Sequence, residues 1–339
     1  MALQVRPALI PILISYMTDR KMVVKYKGKK SSAKDLVGGG PQGTLLGGIE
    51  YIVANQDCAD KLPKDDRYKY YDDLNMLEFL ILTEKLINFI PSDQIPSDVA
   101  IDQMYLPTEN YQMQENLNQI AKWTCENLML LNEKKSHYIV FSRSKTQFCT
   151  RLQLNGKTLE RQSVVRLLGI WLQEDLKWDE NVKQICIKSY SRIQILTKLK
   201  YAGIPTKDLI DIYKLFIRSI TEYCSSVFHT SLTQEQIKKL ENIQKTCIKV
   251  ILGNEYTDYD AALKKCSLQT LSDRRQKHFV KFTLKCARDK FNNNMFPTND
   301  NQRGKEMFKV NFARTNQYLK STIPQAQRIL NYHFKYSKL

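Results

Sequence analysis

A chain of 339 residues can hold one large or two medium domains with a substantial buried core. At 42% hydrophobic and 26% charged it has the composition of a folding polypeptide, which excludes a disordered tail protein. Its net charge of +17 points away from basic partners and toward acidic ones, and no apolar run approaches the roughly eighteen residues of a membrane span.

In chain order, Leu9 to Met17 reads as a helix. It contains Pro11 and ends in Met17-Thr18-Asp19-Arg20, so neither a span nor a secretory leader is expected there. Met22 to Gly28 suggests a strand entering a glycine turn, with a second arm from Ala33 to Val37. After the glycine-rich Gly38 to Gly48, Thr44 to Ala54 reads as a helix burying Leu45, Leu46, Ile49, Ile52 and Val53. Residues 57–67 are loop-like, and Tyr68 to Leu82 reads as two strands about an Asp-Asp turn, with Tyr70 and Leu74 expected to anchor them in the core. Pro91 to Pro107 reads as a loop, Tyr111 to Met129 as a helix and His137 to Phe141 as a strand. Asn155-Gly156 between apolar flanks is a hairpin signal, and Val164 to Leu172 reads as a further strand.

Beyond Trp178 the period becomes helical. Val182/Cys186/Tyr190/Ile193/Leu196, Leu209/Ile212/Leu215/Phe216 and Ile237/Leu240/Ile243/Cys247/Ile251 each predict one amphipathic helix. The boundary between the mixed and helical parts falls near 175–180, and no internal repeat is visible.

The charge is uneven. Residues 264–339 carry seventeen Lys/Arg against Asp273, Asp289, Asp300 and Glu306, a surplus of +13, and residues 1–36 carry eight against Asp19 and Asp35. Basic ends interleaved with Tyr and Phe suit a polyphosphate partner bound through counterion release. The eight cysteines form no Cys-x-x-Cys pair, and the four histidines are scattered. Buried free thiols are therefore expected; His278 with Cys266 and Cys286 fits no standard zinc spacing. Lys29-Lys30 and Arg274-Arg275 are short basic clusters that leave localisation open.

Two motifs carry chemistry. Tyr70-Tyr71-Asp72-Asp73-Leu74 places adjacent carboxylates where a strand–turn–strand could offer them to a divalent cation. Gly38-Gly39-Gly40-Pro41-Gln42-Gly43-Thr44 suits a backbone passing close to a bulky ligand. Gly38-x-Gly40-x-x-Gly43 formally matches a dinucleotide fingerprint, but it follows the polar Lys29 to Asp35 rather than a buried strand, and Pro41 sits in the turn. A phosphate-binding P-loop is excluded, because no Lys-Ser/Thr follows the glycines.

The order of these motifs, then Leu131-Asn132-x-x-Lys135-Ser136 before a strand, then Leu167-Leu168-Gly169-Ile170-Trp171-Leu172, resembles the second half of a non-LTR retrotransposon reverse transcriptase. The resemblance runs from about Leu9 to about Arg275 and covers that family's motifs B, C, D and E. It implies an α+β fold, a partial polymerase palm over 1–178, a helical thumb-like domain over 179–260 that includes Tyr223, and a basic C-terminal segment over 261–339. It implies Asp72 as metal ligand with Asp73 in support, and Lys135 as general acid toward pyrophosphate. It further implies that Gly40, Pro41, Gln42 and Gly43 lie beside template and nucleotide, and that Leu168-Gly169 forms a primer-grip turn. The implied partners are an RNA template, a DNA primer, deoxynucleoside triphosphates and two Mg2+ ions, with no membrane. The family's other metal-binding aspartate belongs upstream of Gly38, and its segment is expected to precede residue 1. The catalytic set of residues 1–339 is accordingly expected to be incomplete. The alternative is a non-catalytic basic nucleic-acid binder, and a nicotinamide-dinucleotide enzyme is the weakest reading.

Overall fold

The computed structural model describes residues 6–36, 47, 51–52, 55, 57–58, 67–70, 73–77, 82–85, 104–107, 112–141, 147–148, 152–289, 295–299 and 307–336. Helices and small sheets are mixed, as the α+β reading expects. The chain divides into two compact units, one of residues 1–138 and 144–161, the other of 139–143 and 162–339.

In the first unit, helix Ile10–Met17 leads into two nested antiparallel pairs, Lys21–Met22 with Lys34–Asp35 and Lys25–Tyr26 with Lys29–Lys30. The inner pair closes at Lys27-Gly28, both at positive φ (46° and 82°), which is the two-residue turn that matches strand twist. Of the stripe expected to be buried over 44–54, Ile52 is described, and it is 51% exposed. Strands Arg67–Tyr70 and Asp73–Met76 pair antiparallel. Met104–Pro107 is a strand against Leu82–Lys85, so the loop expected over 91–107 ends in regular pairing. Gln147–Phe148 with Met104–Tyr105, and Glu160–Arg161 with His137–Tyr138, run parallel rather than antiparallel.

Helix Met113–Glu126 is the scaffold of this unit. Leu117 and Ile120 stand one turn apart, so both face the same side. Leu117 packs with Leu152, Leu154 and Leu159 of the hairpin closed by Asn155-Gly156, both residues at positive φ. Gln114 ties the same elements together, since its amide donates to the Gln153 carbonyl (2.9 Å) and accepts from the Gln153 N–H (2.8 Å).

The second unit is mostly helical. Asp179–Tyr201 and Gln234–Leu252 pack along their lengths on a core that includes Leu196, Leu209, Tyr213, Ile217, Leu240, Ile243, Cys247 and Ile251. The Gln234–Leu252 stripe is as the sequence predicts, and Thr233 opens the helix with a reciprocal cap to Gln236. Two stripes differ. The Asp179–Tyr201 helix buries Ile185 and Ser189, whereas Tyr190 is 44% exposed. After Thr206–Ile212 the chain makes a π-helical turn over Tyr213–Arg218, which buries Tyr213 and Ile217 and turns Leu215 outward at 79% exposure. The wider turn inserts one residue per cycle and rotates every later side chain, which a 3.6-residue period does not anticipate.

The C-terminal region folds. Helix Leu271–Arg288 and helix Thr322–Tyr336 enclose a second core of Phe279, Cys286, Phe296, Ala326 and Leu330. Gln327, fully buried, accepts from the Asn311 N–H and donates to the Met295 carbonyl, fastening the intervening segment.

Burial governs thiol chemistry in this unit. Cys247 is enclosed by apolar side chains and its pKa is pushed up to about 12, while Cys224 is exposed. A thiolate is the reactive form. Maleimide labelling of the native chain at neutral pH, read by peptide mass spectrometry, is expected to modify Cys224 within minutes and to leave Cys247 unmodified until denaturant is added.

Candidate functional site

The acidic pair is approached through the hairpin Arg67–Met76. Its register sets Arg67 opposite Met76, Tyr68 opposite Asn75, Lys69 opposite Leu74 and Tyr70 opposite Asp73. Side chains alternate across a strand, so Leu74 and Met76 share a face, and both pack on Ile120 of helix Met113–Glu126. Leu74 therefore anchors the strand as expected. Tyr70 does not: it lies on the opposite face with Tyr68, and the two are 57% and 58% exposed. Lys69 donates to the Asn55 carbonyl at 2.9 Å. Asp73 ends the last rung, exposed to solvent. Asp72 lies outside the described residues, as do Gly40, Pro41, Gln42 and Gly43.

Lys135 closes a single 3-10 turn, Glu133–Lys135, whose first orphan N–H groups are met by Asn132 (side-chain oxygen to Lys135 N–H, 3.3 Å). Glu133 joins this turn to the Asn155-Gly156 hairpin. Its carboxylate accepts from Asn155 Nδ2 (3.2 Å) and pairs with Lys157, and the Lys157 hydrogen bond holds its pKa below the usual carboxylate value. The Lys135 side chain is exposed, immediately ahead of strand His137–Tyr138.

Val164 to Leu172 is not one strand. It folds back at Leu168-Gly169 into the hairpin Val164–Leu167 with Ile170–Gln173. Both turn residues have positive φ, 45° and 89°. Such a turn wants glycine at its second position, and that requirement makes the reversal legible once the apolar run is not taken as continuous. Tyr223 seals it. Its hydroxyl donates to the Leu168 carbonyl at 2.8 Å, and a Cβ added to Gly169 would stand 3.1 Å from its ring. The far strand is fixed to the start of helix Asp179–Tyr201, because Asn181 Oδ1 accepts from the Trp171 N–H (3.3 Å) and Gln173 Oε1 from the Glu180 N–H (2.8 Å). The Tyr223 contact has no sequence signal, since the residue ends a helix just before Cys224 at φ 49°.

The basic C-terminal surplus is divided by the fold. Arg274 pairs with Glu222, and Arg275 is fully buried, so neither serves as a surface charge. Lys277, Lys281, Lys285 and Arg288 of the same helix are exposed and spaced for one face. Among the described residues, no three His, Cys, Asp or Glu side chains converge as a metal cage. No helix among them is long and apolar enough to cross a membrane.

No family model matches the chain, and no solved structure matches it. Two curated proteins of Drosophila melanogaster are similar. One, described as a probable RNA-directed DNA polymerase from transposon BS, is 25% identical over 186 residues, which is 55% of this chain and 19% of that protein. The other, the RNA-directed DNA polymerase from mobile element jockey, is 21% identical over 252 residues, 73% of this chain and 25% of that protein. The chain thus spans about a fifth to a quarter of the length of these relatives. Over more than half its length it is similar to RNA-directed DNA polymerases of non-LTR retrotransposons, the resemblance that the order of its motifs carries.

Proposed function

We propose that the chain is the part of an RNA-directed DNA polymerase that carries one acidic turn, a general-acid lysine and the primer-grip turn. In this reading the whole protein extends a DNA primer on an RNA template. The observation that carries it is the antiparallel pair of Arg67–Tyr70 with Asp73–Met76, whose last rung ends on exposed Asp73 and which docks by Leu74 and Met76 on a helix. Carboxylate oxygens are the donors that magnesium prefers, and among the described residues Asp73 has no cation partner, so the residues present are compatible with ions held by Asp72 and Asp73. Bound magnesium would acidify the primer hydroxyl and stabilise the departing pyrophosphate. Lys135 would supply a proton to that pyrophosphate from a turn whose backbone Asn132 holds. Gln42 would bond template or nucleotide, with Gly40, Pro41 and Gly43 letting the backbone pass close to the nascent pair. Leu168-Gly169 would seat the primer.

Two ions about 3.5–4 Å apart need more carboxylate oxygens than one turn can aim at them. Residues 1–339 by themselves are therefore expected to extend a primer little or not at all. They are still expected to bind an RNA–DNA hybrid with a recessed primer more tightly when magnesium and the complementary deoxynucleotide are present, and Asp72→Asn should remove that increment. Fluorescence anisotropy of the labelled hybrid checks this. Affinity indifferent to magnesium and to Asp72→Asn would sink the polymerase reading. It would favour the second one, a non-catalytic binder acting through Lys277, Lys281, Lys285 and Arg288, whose removal should flatten the salt dependence.

A further inference from the structure

We infer that the Val24–Ser31 hairpin is a separate contact for single-stranded nucleic acid, with its lysines on the phosphodiester backbone and Tyr26 under a base. The inference rests on the nucleic-acid half of the reading above and not on catalysis.

Register provides the first observation. Lys25 stands directly opposite Lys30, and Tyr26 opposite Lys29. Like charges facing each other across a strand pair oppose its formation, and an isolated two-stranded ribbon is marginal in water. Among the described residues no carboxylate reaches ion-pair distance of Lys25, Lys27, Lys29 or Lys30; the neighbouring Asp35 is engaged by Lys21 at 3.7 Å. The pair nevertheless forms, held by the positive-φ turn at Lys27-Gly28 and by Val24 and Ser31, where the Val24 N–H donates to Ser31 Oγ (3.0 Å) and the Ser31 N–H to the Val24 carbonyl (2.9 Å). A preorganised ribbon with unneutralised ammonium groups is a site for a polyanion.

The second observation selects the polyanion. Alternation puts Val24, Tyr26, Lys29 and Ser31 on one face, where they line a shallow open groove of about 500 Å³ together with Lys27 and Lys30. Tyr26 is 70% exposed and Val24 58%, and the Lys27 ammonium lies 5.5 Å from the Tyr26 ring centre. An exposed ring flanked by cations is the combination that stacks a base while neutralising its phosphate. A paired duplex offers the ring no free base face, so the preferred form is a single strand.

The test uses the full chain, a fluorescein-labelled oligouridylate and, in parallel, a duplex of equal length, titrated by anisotropy across a range of salt. For the triple variant Lys27→Gln/Lys29→Gln/Lys30→Gln, which removes the lysines lining the groove, the slope of log affinity against log salt should fall by about 2, at roughly 0.7 for each phosphate that is no longer neutralised. Tyr26→Ala should weaken oligouridylate roughly fivefold or more at unchanged slope and leave the duplex unaffected. All these side chains are solvent-exposed, and circular dichroism melts matching the parent establish that the fold is retained. If the parent binds and both variants bind as it does, the inference is overturned while the reading above stands. If the parent binds neither probe, both fall. If Tyr26→Ala weakens strand and duplex alike, the single-strand assignment is overturned.

Discussion

Replacing Glu222 by alanine is expected to cost about 3 kcal/mol or more of folding stability, the scale for removing one member of a largely buried ion pair. Its carboxylate takes Arg274 through both oxygens, Nε on one and Nη2 on the other at 2.9 Å, and the Arg218 Nε lies 3.7 Å away. The side chains of Glu222, Arg274 and Arg218 are 13%, 24% and 17% exposed, so water replaces little of what is lost. The bidentate bond raises the Arg274 pKa, and the guanidinium stays charged when its partner goes. Urea denaturation measures the loss. Arg274→Met in the Glu222→Ala background is expected to restore part of it, because the destabilised species is the stranded cation. A loss below about 1 kcal/mol would put the pair in the class of exposed salt bridges and refute its role as a clamp.

The clamp belongs to a polar layer that runs through the helical unit. Gln244, fully buried, accepts from the Tyr213 hydroxyl (2.5 Å) and donates to the Tyr259 hydroxyl (2.8 Å) and the Gln269 carbonyl (3.0 Å). Glu241 accepts from the Tyr259 hydroxyl and the Leu271 N–H. Burial raises the pKa of both tyrosines, so the two hydroxyls keep their protons and remain donors at any physiological pH. Arg275 lies fully buried in the same region, where Glu241 and Glu222 offset part of its desolvation. Helix Leu271–Arg288 is thereby attached to the Gln234–Leu252 helix by specific polar contacts as well as by apolar area. Polar contacts of this kind fix orientation where apolar packing tolerates sliding.

How far this is legible in the sequence follows from the kind of signal. The Gln234–Leu252 stripe is readable because Leu240, Ile243, Cys247 and Ile251 all face one core and nothing interrupts the helix. Asn155-Gly156 is readable because a positive-φ turn demands those residue types. The same logic applies at Leu168-Gly169, where the resemblance implies a turn although the apolar pattern around it reads as one continuous strand. Leu215 and Phe216 mislead because a π-turn leaves no mark in an apolar pattern. Tyr70 is expected inside because aromatic residues in strands usually are, yet register gives the packed face to Leu74 and Met76. Glu222 and Arg274 stand 52 residues apart, and Arg275 is a charge in a core. Pairings of that kind are set by the tertiary fold and have no local period. Of the supports at the candidate site, Asn132 lies within its motif and holds Lys135 three residues on, whereas Glu133 and Tyr223 act through contacts to Asn155 and Leu168, 22 and 55 residues away, which no local pattern records.

Those supports make the second large effect specific. Gly169→Val is expected to destabilise the second unit by about 2–4 kcal/mol and to loosen the Leu168-Gly169 turn. A β-branched residue at φ 89° is strained, and its Cβ would stand 3.1 Å from the Tyr223 ring, closer than an ordinary van der Waals contact. Tyr223→Phe keeps the ring and removes only the hydrogen bond to the Leu168 carbonyl, so its cost should be about 1 kcal/mol. The two substitutions separate what the turn needs for folding from the primer contact proposed for it. Urea denaturation should rank them as stated. Recessed-primer hybrid binding, measured where both variants remain folded, should then weaken more for Gly169→Val than for Tyr223→Phe. Equal hybrid affinity for the parent and both variants would mean that the turn takes no part in holding the primer, and that Tyr223 serves only to close a hairpin.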